Sequence, residues 1–169
     1  MFVSTNPFSG NQIATYQPQT LVEVENIIQK ADRAFQFWKK DSFASRSKLM
    51  AILASNLRKN KESYARLITT EMGKIIVESR AEIEKCAWLC DYYAEKAEQM
   101  LTYEIIESDA SQSYVRFDPV GIIYAIMPWN FPFWQVVRWA VPTLIAGNAC
   151  LLKHASNVPI TALELQDIF

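Results

Sequence analysis

In the apolar run IMPWNFPFWQVVRWAVP, residues 126 to 142, two side chains are of types that can do chemistry. Asn130 stands between Pro128 and Pro132 and between the rings of Trp129 and Phe131, which hold its carboxamide rigid. One such N–H, aimed at an oxygen on which negative charge develops, supplies about 3 kcal/mol to a transition state. The other role open to Asn130 is to cap a helix whose first turn is Phe131-Pro132, and the two roles are compatible. Arg138 follows on the same helical stripe as Phe131 and Gln135, at i, i+4 and i+7. Eight residues of helical rise place it roughly 12 Å along from Asn130, so the pair can grip opposite ends of one small molecule. A guanidinium buried among Val136, Val137, Trp139 and Val141 needs an acidic partner. An internal carboxylate and a substrate's carboxylate, held by the two-pronged geometry of arginine, both satisfy that need.

The elements that must position these residues begin with GIIYAIM, a continuous apolar run of the kind found in strands covered on both faces. A helix, a Gly147-Asn148 break, a second apolar run ACLLK and a helix near Pro159 complete a β-α-β-α pattern. Such a unit implies a parallel pair with a right-handed crossover, and ligands of open parallel sheets bind beyond the carboxyl ends of the strands. The end of the first strand is Pro128-Trp129-Asn130. Pro142 frees the carbonyl of Arg138 and should bend the intervening helix.

Upstream, FVSTNPFSGNQIATY reads as two short strands about a turn. Thr20 and Glu23 have capping-box spacing, and Leu21, Val24, Ile28, Ala31, Phe35 and Trp38 form one stripe of a helix ending near Lys40. A second helix takes Ser45 as its cap and carries Leu49, Ile52, Leu53 and Leu57. A third runs through Tyr64, Leu67, Ile68 and Met72 to a Gly73 cap. The fourth, about 75 to 100, turns Val77, Ile83, Cys86, Ala87, Cys90, Tyr93 and Ala97 inward. YEIIES and SQSYVRFD then flank Asp109-Ala110 as an antiparallel hairpin that Pro119 ends.

Composition narrows the partners. Half of the 169 residues are apolar, enough for a core, and 17 basic against 18 acidic side chains leave no electrostatic footprint for nucleic acid or an anionic membrane. No apolar stretch approaches the about 20 residues that span a bilayer, and no signal peptide opens the chain. A cytoplasmic protein with a small or proteinaceous partner is expected. Three cysteines make no disulfide framework. Cys86 and Cys90 share a helical face without further ligands for a metal, and Cys150 in a buried strand should be inert. His154, the single histidine, has no acid or serine at triad spacing and reads as packing.

PVGIIYAIMPWNFP, AVPTLIAGNACLLK and TTEMGK together resemble the NAD(P)-dependent aldehyde dehydrogenases, in that family's order and spacing, and LLKHASNVP resembles the succinate-semialdehyde branch. The resemblance runs from NPFSG to the last helix. It implies an incomplete aldehyde dehydrogenase fold of the α/β class. In it, residues 1 to 102 form an arm and helices, 103 to 118 an oligomerisation hairpin, and 119 to 169 the first βαβα of a Rossmann-like sheet. It further implies that Asn130 is the oxyanion-hole amide, that Ile126, Met127, Pro128 and Trp129 touch the dinucleotide, and that Lys153 hydrogen-bonds the adenosine ribose. Arg138, with Phe131 and Gln135 beside it, is implied to hold the far carboxylate of a semialdehyde such as succinate semialdehyde. Ser156 stands where many NAD-preferring relatives have a glutamate. Without a carboxylate to repel a 2′-phosphate, NADP is tolerated beside NAD, although Ser156 or Asn157 can equally cap the next helix.

The family's Gly-Gln-x-Cys nucleophile, its general-base glutamate and its later pyrophosphate turn do not occur in these residues. The chain is therefore expected to be an N-terminal fragment, inactive alone, weak in cofactor binding at best, and self-associating through its hairpin and uncovered sheet. The alternative is a binding module that pairs with full-length subunits.

Overall fold

The computed structural model describes residues 1–169. β1 (Phe2–Thr5) and β2 (Gln12–Tyr16) pair antiparallel. Four helices follow, α1 (Leu21–Trp38), α2 (Phe43–Lys59), α3 (Lys61–Met72) and α4 (Ile76–Met100). The hairpin β3 (Glu104–Ile105) and β4 (Tyr114–Val115) comes next, and then β5 (Ile122–Met127), α5 (Trp134–Ile145), β6 (Ala149–His154) and α6 (Pro159–Ile168). β5 and β6 run parallel with α5 as their crossover, the expected βαβα of an α/β fold. No helix is long and apolar enough to cross a membrane.

Local signals account for most boundaries. Thr20 and Glu23 close the capping box of α1. The left-handed Gly73 (φ +81) ends α3; a Cβ there would meet the Pro7 ring at 2.9 Å, so glycine lets the β1–β2 turn pack on the helix end. Ser42, not Ser45, caps α2: its hydroxyl accepts the N–H of Ser45, whose own hydroxyl donates to Asp41. The Ser42 oxygen lies three residues before the N–H it serves, which is the N-cap geometry.

The core lies where α2, α3, α4 and α5 meet, around Leu57, Ile68, Ile83, Cys86, Phe133 and Val137. Its polar ties are long-range. Buried Glu71 on α3 accepts from Ser4 Oγ of β1 and from the N–H groups of Ile160 and Thr161 and the Thr161 hydroxyl of α6, all within 2.8 Å. Buried Arg46 donates to the carbonyls of Asp41 and Ile145.

Several apolar positions expected inside are on the surface. Leu21, Val24 and Ile28 of the α1 stripe are exposed, with only Phe35 of that helix buried, and Val77 projects outward from α4. α1 packs mainly against β6 and β5, and at its C-terminal end the Trp38 indole N–H donates to the Leu144 carbonyl of α5, while the apolar residues of its first turns stay exposed. β5 is covered on one face, with Ala125 buried while Tyr124 and Ile126 lie open.

Candidate active site

The segment joining β5 to α5 is fixed from two directions. From α4, buried Glu82 places Oε1 2.9 Å from the N–H groups of both Phe133 and Trp134, and its Oε2 pairs with the ammonium of Lys74. A carboxylate from another helix thus satisfies the free donors at the start of α5, where the helix dipole favours negative charge. Lys74 in turn lies 3.7 Å from the centroid of the Phe131 ring. From the end of β6, His154 reaches Pro132. Its Nδ1 accepts the Ala155 N–H at 2.8 Å, which leaves the proton on Nε2 to donate to the Pro132 carbonyl at 2.9 Å. Beneath, Phe133 is fully buried, its ring 5.4 Å from that of Tyr64.

Asn130 is the exposed apex of this braced loop. It does not cap α5: the helix starts at Trp134, Phe133 takes the cap position, and Glu82 does the capping. The structure therefore leaves the Asn130 carboxamide outside the role that spacing also allowed.

Burial pushes the His154 imidazole below its ordinary 6.5, against the opposing pull of the Pro132 hydrogen bond. A base whose pKa is depressed by folding stabilises the fold above its unfolded pKa and loses that contribution as pH falls through the folded value. The melting temperature is accordingly expected to drop between about pH 7 and about pH 5 by more in the parent chain than in His154→Gln, which keeps a donor and an acceptor but cannot titrate. Parallel melting curves for the two would show that His154 does not hold the loop as a neutral ring.

Between α4 and α5 runs a cleft of about 440 Å³. Glu78, Ala81, Glu82 and Lys85 line one wall, and Phe131, Trp134, Gln135 and Arg138 the other. The expected stripe of Phe131, Gln135 and Arg138 is thus brought together. Asn130 is not part of the lining but adjoins Phe131. The expectation of a buried Arg138 is corrected: the residue is exposed and takes part in none of the ion pairs of the chain. The apolar neighbours misled because Val136, Val137 and Val141 face the core while Arg138 lies on the other side of the helix.

At the carboxyl end of the sheet Ile126 and Lys153 are register partners on the open face, and both are exposed. Met127 pairs with His154 on the opposite face. Pro128 and Trp129 are exposed, as are Ser156 and Asn157 in the turn after β6. Neither Ser156 nor Asn157 caps α6; Val158 has the cap position and Glu71 holds the helix N–H groups. Burial pushes the thiols of Cys90 and Cys150 up to about 12 and that of Cys86 well above its usual value. None of the three is poised as a thiolate nucleophile.

Lys74, Glu82 and Lys85 were not singled out from the sequence. Glu82 had a readable signal, since it lies four residues before Cys86 and so on the buried stripe of α4.

The aldehyde dehydrogenase family model matches residues 1–169. A probable NADP(+) succinate-semialdehyde dehydrogenase of Synechocystis sp. (strain ATCC 27184 / PCC 6803 / Kazusa) is 46% identical over 164 residues, 97% of this chain and 36% of that protein. The NADP(+) succinate-semialdehyde dehydrogenase of Mycobacterium leprae (strain TN) is 44% identical over 166 residues, 96% of this chain and 36% of that protein. The crystal structure of succinic semialdehyde dehydrogenase from Streptococcus pyogenes in complex with NADP+ superimposes with a TM-score of 0.94 at 31% identity, over 99% of this chain and 37% of that one. The chain thus spans about 36% of the length of the curated relatives it matches.

Proposed function

Because the chain belongs to the aldehyde dehydrogenase family, we propose that it supplies the oxyanion, carboxylate and dinucleotide surfaces of an NAD(P)-dependent enzyme that oxidises a short semialdehyde, succinate semialdehyde foremost. The observation that carries this reading is the unpaired guanidinium of Arg138 in a cleft walled by Phe131 and Gln135. That cleft adjoins the loop whose exposed apex is Asn130. In this reading the Asn130 N–H donates to the aldehyde oxygen as charge builds on it, and Arg138 holds the carboxylate at the other end. Phe131 and Gln135 fix the chain between.

The open face at the end of the sheet suits a dinucleotide. Lys153 offers an ammonium to ribose hydroxyls beside the apolar Ile126, with Pro128 and Trp129 on the adjoining turn and Met127 ending β5 just before it. A nicotinamide held there would supply the hydride acceptor for oxidation of the aldehyde. Ser156 leaves room and no opposing charge for a 2′-phosphate, in keeping with relatives and a structural neighbour whose names specify NADP. The 169 residues alone are inactive, because Cys86 and Cys90 are buried, Cys150 is partly buried, and desolvation keeps all three thiols protonated. The enzyme works in the cytoplasm as a homo-oligomer, residues 103 to 118 forming the oligomerisation hairpin.

The test is a chimera in which this chain replaces the matching segment of the Synechocystis relative. It is expected to reduce NADP with succinate semialdehyde, whereas the 169-residue chain is not. Ser156→Glu should lower kcat/KM for NADP at least about tenfold relative to NAD, through repulsion of the 2′-phosphate. A folded chimera without turnover on this substrate, or an unchanged cofactor ratio in the variant, would refute the respective part of the reading.

A further inference from the structure

Arg138 is not the sole unpaired cation of the cleft. Lys85 projects from α4 into the same space with its ammonium 4.1 Å from the centroid of the Trp134 ring, and it too is absent from every ion pair of the chain. Cations without a carboxylate partner, such as Arg33 and Arg66, occur elsewhere on the chain too; what is particular here is that two of them line one cleft from facing helices. Two acids line the cleft, yet neither neutralises these cations. Glu82 is engaged by Lys74 and two backbone N–H groups, and Glu78 pairs with neither Lys85 nor Arg138. Lys85 is thus held by an aromatic face, which steadies an ammonium without consuming its hydrogen-bond donors. Arg138 approaches from the facing helix with a fork suited to the two oxygens of one carboxylate.

From this convergence we propose that Lys85 is a second anchor for the carboxylate end of the substrate and sets the choice between anionic and uncharged aldehydes; the proposal rests on the reading of Arg138 above. The guanidinium takes the carboxylate in a two-pronged grip and the Lys85 ammonium adds a third donor from the opposite wall. A cleft with one unpaired cation accepts a neutral chain end with modest loss. With two, a neutral end leaves both cations facing each other across an empty site.

The experiment labels the 169-residue chain with 5-fluorotryptophan and follows the Trp134 fluorine resonance, assigned through Trp134→Phe, during titration with butyrate at ionic strength matched by sodium chloride. Butyramide is the uncharged control. A saturable shift with butyrate alone is expected. Lys85→Met should weaken it about tenfold, the size of one hydrogen bond to a charged group, with recovery in Lys85→Arg. If butyrate binds and Arg138→Leu weakens it while Lys85→Met leaves it unchanged, the role of Lys85 is overturned and that of Arg138 stands. If butyrate and butyramide behave alike in the parent chain, the carboxylate reading of the whole cleft is overturned with it.

Discussion

Replacing Glu82 with alanine lowers the stability of the fold by about 3–5 kcal/mol, the range for breaking a buried ion pair from one side. The side chain is buried and serves three donors at once. Its loss strands the N–H groups of Phe133 and Trp134 at the start of α5 and leaves the nearly buried ammonium of Lys74 without a counter-charge. Glu82→Gln separates the two contributions. Both N–H groups donate to Oε1, so a carboxamide oxygen can replace that cap, while its NH2 group faces Lys74 and cannot pair with it. The Gln variant is expected to lose roughly half as much as the Ala variant. Urea unfolding checks this as a shift in midpoint at constant slope. An Ala variant less than about 1 kcal/mol below the parent would mean that water replaces the carboxylate, and that the loop carrying Asn130 is held by other contacts.

The brace made by Glu82 also marks the limit of what a linear reading reveals. The parallel βαβα unit, the N-terminal strand pair, the capping box of α1 and the Gly73 stop were all legible, because each is written in neighbouring residues. The grouping of Phe131, Gln135 and Arg138 on one wall was legible too, although α5 starts only at Trp134, not at the expected Phe131-Pro132 turn, and Phe131 joins the wall from the preceding loop, its carbonyl accepting the Gln135 N–H. The caps of α5 and α6 were not legible. Spacing offered Asn130 for one and Ser156 or Asn157 for the other, whereas the structure uses Glu82, 51 residues before Phe133, and Glu71, 89 residues before Ile160. A carboxylate from a packed helix takes these positions because the donors are buried where water and the exposed local side chains do not serve them, and several donors converging on one carboxylate offset the cost of burying its charge. The environment of Arg138 was misjudged for a related reason. Apolar neighbours in sequence define the burial of their own face of a helix, not of the residue between them. The exposed Leu21, Val24 and Ile28 show the same limit from the other side, since an apolar stripe indicates a face that can be buried without supplying the surface that buries it.

Asn130→Ala carries the largest expected effect on chemistry. Nothing in the fold depends on its carboxamide, which is exposed and caps no helix, so the variant should melt with the parent. Removal of a single preorganised donor to a developing oxyanion lowers kcat by about 10²–10³, with KM little changed because the bond strengthens only as charge builds. In the proposed reading, Arg138→Leu acts at the other end of the substrate. It should lower kcat/KM for succinate semialdehyde by about 10²-fold or more while sparing butanal, which has no carboxylate to lose.

The direct test of the two-ended site is therefore the ratio of kcat/KM for succinate semialdehyde to that for butanal, measured in the chimera and its two variants. The account predicts that Asn130→Ala depresses both aldehydes by the same factor and leaves the ratio intact, and that Arg138→Leu collapses it. A ratio that survives Arg138→Leu, or an Asn130→Ala enzyme that turns over both aldehydes at the parent rate, would contradict it.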